Sequence, residues 1–465
     1  MEHTRLGYWI DEAGDVTPRP PLDADRDADL LIVGGGYTGM WTAWHARKLA
    51  PEARIVLLES EPVCGRGPSG RNGGFCEGVW TSLASMRDRW GDAPALAVGH
   101  AAEAAVDRIE AFCAAGDDDA WFRRGGYLRV STAAAHDGVG RPSLAAAREL
   151  GVADKLLDVP AAEVQEHCAS AAFRGGVIEP CTATVQPARL ALALRRSLLA
   201  AGVDVYESSP VRRFRESPDG VEATVATGAR VRAPRGVLAI GPAAKSGPLR
   251  HRLTVASSHI VITEPVPDVI EKLGWTGGEA ITDGRALVHY FRTTPDGRIA
   301  FGWGGGRIMM GARLRGRAEV DADVVARQQH HLLDYFPDLA GRRITNAWGG
   351  PIDASPTHLP AVTSLPRSRA WVAAGYTGNG VGPTNMVGLT LASLALDRSD
   401  DPTRLAFVDS KAPRVPPEPF HWIGGESIRW GIEKKEEAEM SGRAPNPVAS
   451  ALAKVPALLG FHIGR

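Results

Sequence analysis

Three glycines early in the chain have the spacing of a site that binds the phosphates of a nucleotide. Gly34, Gly36 and Gly39 form the pattern GxGxxG directly after the apolar run DLLIV. The first glycine of such a pattern permits a tight turn, the second lets the backbone approach a pyrophosphate, and the third lets helix and strand pack closely. The N-terminus of the helix that follows offers N–H groups and partial positive charge to the phosphates.

An acidic residue twenty positions further on completes this pattern. Glu59 ends a second apolar run, RIVLLE, where a carboxylate accepts hydrogen bonds from ribose hydroxyls. Tyr37 and Thr38 inside the motif and Ser60 after it are candidate contacts of the same nucleotide. The competing interpretation, a glycine-rich turn with a surface glutamate, is disfavoured by the strand–turn–helix context. The pattern alone does not distinguish a nicotinamide from a flavin dinucleotide.

A glycine-rich loop after this unit favours a flavin. CGRGPSGRNGGF, residues 64–75, contains five glycines, two arginines and an asparagine. A flavin ring needs backbone against it, which Gly73 and Gly74 provide, while Arg71 and Asn72 are able to set the polarity around the ring. The competing interpretation is a flexible, exposed loop. The candidate contacts in the loop are Ser69, Gly70, Arg71, Asn72, Gly73 and Gly74.

Apolar periodicity places both motifs in an α/β fold. Buried strands over 29–33 and 54–59 flank a helix over 40–50, which makes a βαβ unit. Residues 16–28 are expected to form a lead-in loop, and the charge run over 433–439 a solvated helix. Further helices are expected over 143–150, 188–201, 325–339 and 386–397, and further strands over 203–209, within 220–240, on both sides of the turn at 294–297, and before the glycine-rich turn that ends at 380.

Composition limits the classes of function. The 465 residues include 53 basic and 54 acidic side chains, a balance that gives no overall attraction to nucleic acid or acidic membranes. No signal peptide and no apolar run of transmembrane length is expected. An odd number of cysteines without a CxxC pair fits neither a zinc site nor a disulfide scaffold, so a cytoplasmic location is expected. The cysteines are Cys64, Cys76, Cys113, Cys168 and Cys181.

The combined motifs resemble the D-amino-acid oxidase superfamily, and within it the group of glycine oxidase, sarcosine oxidase and γ-glutamylputrescine oxidase. The resemblance lies in GGGYTGMWTAWHARKL, the spacing to LLESE, and GPSGRNGGF. Residues 375–388 are similar to the group's second flavin turn, 236–244 to its strand-end approach to FAD, and 289–306 to the strands that line its substrate pocket. The cofactor contacts that the resemblance adds are Val211, Gly241, Gly375, Thr377, Gly378, Asn379, Gly380 and Val381.

This resemblance implies a fold with two domains: a Rossmann-like FAD-binding domain of the GR2 type, and an α+β substrate domain built on an antiparallel sheet. It also implies oxidation of a C–N bond in an amine or amino acid by hydride transfer to flavin N5, with O₂ as the favoured acceptor, giving an imine that hydrolyses. The expected boundaries are 1–27 for the lead-in, 28–90, 160–250 and 341–400 for the FAD domain, 91–159 and 251–340 for the substrate domain, and 401–465 for a docked tail.

The substrate residues are expected on the sheet that resembles the pocket strands. His259, His289, Tyr290 and Arg292 are the candidates, and Arg292 is expected to clamp a substrate carboxylate because guanidinium and carboxylate pair bidentately. The competing interpretations are a surface arginine and packed strand histidines. Sarcosine oxidases place a lysine that promotes the O₂ reaction at about the position of Ala300, so that cation is expected to be missing here.

The cofactor is expected to be bound non-covalently. The stretch where sarcosine-oxidase-like relatives carry the tethering cysteine has none here, and Asn72 stands near the place of the tethering histidine of the dimethylglycine-dehydrogenase type. No metal site is expected. Four alternatives remain open: an amine dehydrogenase with another electron acceptor, a flavin monooxygenase, a module for binding or RNA modification, and a non-catalytic flavin-binding protein. Substrate identity and oligomeric state are not specified by the sequence.

Overall fold

A computed structural model of the chain describes residues 2–3, 6–367 and 369–462. Its strands are β1 Glu2–His3, β2 Arg26–Asp27, β3 Leu30–Val33, β4 Ile55–Leu58, β5 Phe75–Cys76, β6 Tyr127–Val130, β7 Leu157–Val159, β8 Gly176–Glu179, β9 Ala183–Thr184, β10 Asp204–Tyr206, β11 Val211–Ser217, β12 Gly220–Val225, β13 Arg230–Ala233, β14 Gly236–Leu238, β15 Thr254–Thr263, β16 Ala280–Asp283, β17 His289–Thr293, β18 Ile299–Trp303, β19 Ile344–Ala354, β20 Ala361–Ser364 and β21 Ala370–Ala374. Its α-helices are α1 Tyr8–Ala13, α2 Tyr37–Leu49, α3 Leu83–Trp90, α4 Asp92–Ala115, α5 Arg141–Glu149, α6 Ala161–His167, α7 Pro187–Ala200, α8 Pro267–Lys272, α9 Ala322–Tyr335, α10 Val381–Ala395, α11 Phe420–Met440 and α12 Pro447–Leu458.

The nucleotide-binding part is built on a six-stranded sheet in the order β10-β4-β3-β14-β21-β20. All neighbouring strands in it are parallel except β20 and β21. β3 and β4 read LLIV and IVLL and are buried throughout, as expected for strands covered on both faces. Helices α2, α4, α7 and α10 share one apolar core with this sheet, and the small sheet β11-β12-β13-β2 shares another. The predicted Rossmann-like fold is confirmed.

The second layer is a mostly antiparallel nine-stranded sheet in the order β1-β19-β15-β18-β17-β16-β6-β8-β7. Side chains alternate between its two faces, so Ser258 and Tyr290 lie on one face while His259 and His289 lie on the other. Helix α9 packs on the histidine side, where Gln328 donates a hydrogen bond to the carbonyl of His259. β8 and β19 belong to this sheet although their residues fall in ranges expected for the FAD domain.

The N-terminal residues are more ordered than the expected lead-in. β1 pairs in parallel with β19, and α1 buries Trp9 completely against Trp348, with ring centroids 6.0 Å apart. Gln186 donates a 2.7 Å hydrogen bond to the carbonyl of Trp9. The sequence YWIDEA is too short for a periodic signal, and only tertiary packing makes it helical.

The C-terminal tail consists of two helices, α11 and α12, that pack against each other. The expectation of a solvated helix over 433–439 is wrong for two of its residues. Glu437 is exposed, whereas Glu433 and Glu436 are buried against the nine-stranded layer. A charge run indicates which residues are ionisable but not which face of the helix is covered. Within the described ranges, no helix is long and apolar enough to cross a membrane.

Candidate cofactor and substrate site

A cavity of about 850 Å³ is lined by residues of both large sheets. One end lies at the carboxyl ends of β3 and β4, where Gly34 and Glu59 face it, and the other at β15 and β17, where Ser258 and Tyr290 face it. Its volume lies towards the upper end of the range of small-molecule sites, about 300–1,000 Å³. Ligands of open α/β sheets bind beyond the carboxyl ends of the strands, which is where this cavity begins.

The turn between β3 and α2 has no room for side chains. Gly34 has a φ of 110°, and a Cβ there would overlap the carbonyl oxygen of Ala239. A Cβ at Gly39 would overlap the carbonyl oxygen of Gly34. The first and third glycines therefore allow the turn and the close crossing of strand and helix that the motif predicts.

The start of α2 presents backbone to the cavity. Gly36 caps the helix, and a Cβ at this position would lie 3.0 Å from Ser69 Oγ. That hydroxyl accepts a 2.8 Å hydrogen bond from the N–H of Tyr37. The helix N-terminus, with its N–H groups and partial positive charge, thus faces the cavity beside Gly34 and Thr38, an arrangement that fits a pyrophosphate.

Glu59 is held in place by backbone donors. Its Oε2 accepts a 2.6 Å hydrogen bond from the N–H of Gly35, and its Oε1 a 2.7 Å bond from the N–H of Glu61. Burial raises the pKa of Glu59, and these hydrogen bonds oppose the shift. The carboxylate is oriented at the cavity wall, where ribose hydroxyls are able to reach it.

The glycine-rich loop over 64–75 is stabilised by its own asparagine. Asn72 Oδ1 accepts a 2.7 Å hydrogen bond from the N–H of Gly74, and its Nδ2 donates a 2.7 Å bond to the carbonyl of Ser69. A Cβ on Gly73 would lie 3.0 Å from the ring of Tyr290, so bare backbone forms the cavity wall there. Gly74, with a φ of 75°, instead packs against the carbonyl of Val185 behind the wall.

The second glycine-rich turn approaches the first motif from the opposite side. Tyr376 accepts a 2.8 Å hydrogen bond from Thr38 Oγ1, which joins the two motifs directly. Asp353 on β19 supports this turn, because its Oδ2 accepts a 2.6 Å bond from the N–H of Gly375. Burial raises the pKa of Asp353 to about 6. Nothing in the sequence GGPIDASP indicates this role, which depends on the pairing of distant strands.

Tyr290 is the predicted substrate residue that reaches the cavity. Its hydroxyl lies 2.8 Å from Ser258 Oγ, which donates a 3.1 Å hydrogen bond to the carbonyl of Trp303. The tyrosine hydroxyl therefore donates to Ser258. Ile260 and Val288 complete an apolar wall beside this pair. The sequence analysis did not identify Ser258, Ile260 and Val288. Val288 lies two residues before Tyr290, so the alternation of strand side chains indicates that the two share a face.

The other three candidates lie outside the cavity lining. His289 is fully buried on the far face of the sheet, with its Nδ1 2.7 Å from Asp283 and its Nε2 2.9 Å from His331. His259 is buried on that same face, and burial lowers its pKa to about 4. Strand alternation turns both histidines away from the cavity, so the structure does not place them with Tyr290 at its wall.

Arg292 shares the face of Tyr290 but lies further along the strand, behind the glycine-rich loop. Its Nη1 donates to the carbonyl oxygens of Val185 at 2.6 Å and Gly74 at 3.2 Å, and its Nε donates to the carbonyl oxygen of Thr293 at 3.1 Å. The side chain is 2% exposed. The guanidinium is therefore occupied with backbone rather than directed towards a substrate carboxylate.

The predicted cofactor residues divide into those that line the cavity and those that support it. The first group is Gly34, Gly36, Tyr37, Thr38, Glu59, Ser60, Ser69, Arg71, Asn72, Gly73, Val211, Gly241, Thr377, Gly378 and Gly380. The second group is Gly39, Gly70, Gly74, Gly375, Asn379 and Val381. In the described part of the chain, no three or more His, Cys, Asp or Glu side chains are grouped so that they could hold a metal ion.

Comparison with known proteins agrees with this geometry. The family described as FAD dependent oxidoreductase, DAO, matches residues 29–394, and the chain belongs to that family. Two curated relatives are Probable oxidoreductase OrdL of Rhizobium meliloti, 27% identical over 82% of this chain and 86% of the relative, and Gamma-glutamylputrescine oxidoreductase of Escherichia coli, 26% identical over 92% and 95%.

Solved structures confirm the fold. Glycine oxidase from Geobacillus kaustophilus superimposes with a TM-score of 0.66 at 20% identity, over 81% of this chain and 96% of that one. L-proline dehydrogenase from P. horikoshii gives a TM-score of 0.64 at 16% identity, over 82% and 96%. At these identities the likeness establishes the architecture and not the substrate. The resemblance inferred from the motifs is confirmed, and the family identifies the cofactor as FAD.

Proposed function

We propose that this protein oxidises a C–N bond of an amine or amino acid by hydride transfer from carbon to flavin N5, giving an imine that hydrolyses. The observation that carries the proposal is one cavity that joins the nucleotide-binding turn at Gly34 to an apolar face at Tyr290. A nucleotide cofactor and a small organic substrate are able to share this space. The family membership of the chain supplies the redox class.

The residues present fit FAD. The backbone of Gly34 and Gly36 and the N-terminus of α2 would hold the pyrophosphate, Glu59 the ribose, and Gly73 and Gly378 would face the ring without side chains in the way. When bound, FAD supplies the acceptor for the two electrons and the hydrogen that leave the substrate carbon.

The chain itself positions the substrate and controls its charge. An amine must be neutral to be oxidised in this way, and apolar walls formed by Ile260, Val288 and Leu314 disfavour its ammonium form. The Tyr290 hydroxyl, fixed by Ser258, presents a polar group on that wall. Placement of the C–H bond by a shaped wall contributes to rate without a strong general base.

The names of the similar proteins support a substrate that contains a C–N bond. The curated relative is named for γ-glutamylputrescine, and the solved structures include proteins named for glycine, L-amino acids, L-proline and iminodiacetate. Those names include oxidases and dehydrogenases, so they do not choose the electron acceptor. We propose O₂, with an amine dehydrogenase that uses another acceptor as the second candidate.

The position of Ala300 bears on the acceptor. Ala300 lies in an apolar cluster with Trp9, Ile260 and Trp348 and does not line the cavity, so a lysine there would be buried among indoles. A lysine at position 300 is therefore not expected to reach a reduced flavin in the cavity. Arg71 lines the cavity, with its Nη1 3.5 Å from Glu319, and a fixed cation there would stabilise a superoxide-like anion.

One two-step experiment tests the reaction and the acceptor. Purified enzyme is mixed anaerobically with a panel of amines, N-methyl amino acids, glycine-like acids and polyamine conjugates, and at least one is expected to bleach the flavin absorbance. The reduced enzyme, or photoreduced enzyme, is then mixed with aerated buffer in a stopped-flow instrument. Reoxidation faster than that of free reduced flavin is expected. A panel without any bleaching refutes amine oxidation, and slow reoxidation assigns the dehydrogenase.

We propose that the FAD is not covalently attached. Among the described residues, no cysteine or histidine side chain lines the cavity, and Cys64 and Cys76 are buried outside it. Burial also raises the pKa of both thiols, which disfavours the reactive thiolate. Acid precipitation is expected to leave the yellow colour in the supernatant. Colour in the protein pellet would contradict this prediction.

A further inference from the structure

Helix α11 lies against two irregular segments that border the substrate end of the cavity. We call residues 284–288 and 304–315 the cavity border. The first segment contributes Val288 to the lining, and the second contributes Gly304, Leu314 and Arg315. Neither segment belongs to a strand, and side-chain carboxylates accept from several of their N–H groups, since buried N–H groups need an acceptor.

Glu436 of α11 supplies the acceptor for the first segment. Its carboxylate is 6% exposed and accepts a 2.6 Å hydrogen bond from the N–H of Ala286 and a 3.3 Å bond from the N–H of Leu287. The carbonyl of Leu287 in turn accepts from the indole N–H of Trp303 at 3.1 Å. The next residue, Val288, lines the cavity, so one carboxylate fixes the backbone immediately before a wall residue.

Glu426 of α11 supplies a backbone acceptor for the second segment. It accepts a 2.7 Å hydrogen bond from the N–H of Ile308. Glu433, between the two along the helix, forms ion pairs with Arg327 on α9 and, at 2.8 Å, with Arg429. Residues at 426, 433 and 436 share one helix face, so a single face of α11 carries all three carboxylates.

Glu436 accepts from these N–H groups in either protonation state, and more strongly when it is ionised. Hydrogen bonds from N–H groups to an ionised acceptor are about twice as strong as neutral ones. Arg285 faces Glu436 and favours its ionised form, whereas Asp283 opposes it. Burial raises the pKa of Glu436 to about 7. Two backbone N–H groups are directed at this buried carboxyl group, so it fixes the loop to α11.

We propose that α11 is a positioning element that shapes the substrate end of the cavity, and that Glu436 and Glu426 are its positioning residues. The proposal rests on the proposed function only for the reaction that measures substrate binding. Wall residues held by α11 are expected to contact the substrate equally in the ground and transition states. Loss of the Glu436 hydrogen bonds should therefore weaken substrate binding more than it slows the chemical step.

The test compares three variants of the full-length holoenzyme. Glu436→Ala removes both hydrogen bonds, and KM is expected to rise about tenfold while kcat changes by less than about twofold. Glu436→Gln keeps an amide oxygen as acceptor and is expected to restore most of the KM. Glu437→Ala is the matched control, because Glu437 is the exposed neighbour paired with Lys434, and no change is expected.

Hydrogen exchange provides a readout that does not depend on activity. Peptides that cover 284–292 are expected to exchange faster in Glu436→Ala than in the wild type or Glu437→Ala, with the FAD content unchanged. Unchanged exchange, or faster exchange with an unchanged KM, would overturn the proposal. If Glu436→Ala does not fold, Glu426→Ala is judged by the same readouts over 304–315. A wild type that oxidises no amine would refute the proposed function, whereas exchange would still decide whether Glu436 orders the border.

Discussion

Glu59→Ala is expected to bind FAD at least about tenfold more weakly than the wild type and to purify with clearly less flavin. A charge-assisted hydrogen bond is worth about 1.5–3 kcal/mol, and 1.4 kcal/mol is a tenfold change in affinity. The variant also loses the acceptor for the N–H groups of Gly35 and Glu61, which loosens the turn that faces the pyrophosphate. The ratio of flavin to protein absorbance after purification, followed by titration with FAD, measures the effect.

A matched control separates this loss from a general one. Glu52→Ala changes an exposed carboxylate in the same βαβ unit, and both FAD occupancy and thermal stability should match the wild type. The fold of apo Glu59→Ala is checked by circular dichroism, because a misfolded variant would also lack flavin. Full FAD occupancy in a folded Glu59→Ala variant would show that Glu59 does not bind the ribose.

The cofactor end was predictable from the sequence because its geometry is local. The GxGxxG turn, the helix after it and the carboxylate twenty residues later lie within one βαβ unit, whose shape is set by short-range backbone sterics at Gly34 and Gly39. The strands around 294–297 were also identified correctly, because alternation and a turn signal are local.

The substrate end was less predictable because it depends on which strand face is covered. His289 and Tyr290 are adjacent, and only the packing of α9 on one face decides that Tyr290 reaches the cavity. Asp353 and Ser258 act through partners far away in sequence, and the acceptors on α11 serve loops more than a hundred residues earlier. No single-sequence pattern encodes those contacts.

Arg292→Met is expected to lower the melting temperature and weaken FAD binding while leaving KM nearly unchanged. Removing the guanidinium leaves the carbonyl of Val185 without its buried donor, at a cost of about 1–3 kcal/mol. The carbonyl of Gly74 keeps the 2.8 Å hydrogen bond from the N–H of Val185, which limits the total loss of stability. FAD binding is expected to weaken as well, because Gly74 adjoins Gly73, which lines the cavity.

The competing interpretation of Arg292 gives the opposite result. A carboxylate clamp predicts a higher KM for acidic substrates with an unchanged melting temperature, whereas a backbone support predicts a lower melting temperature with an unchanged KM. Arg343→Met is the control, because Arg343 is an exposed arginine immediately before β19, paired with Glu264 at 3.1 Å, and such pairs contribute about 0–1 kcal/mol. A raised KM in a fully stable Arg292→Met would show that Arg292 binds the substrate carboxylate. That result would require its side chain to leave the carbonyls of Val185 and Gly74, so faster hydrogen exchange around 73–75 on substrate binding should accompany it.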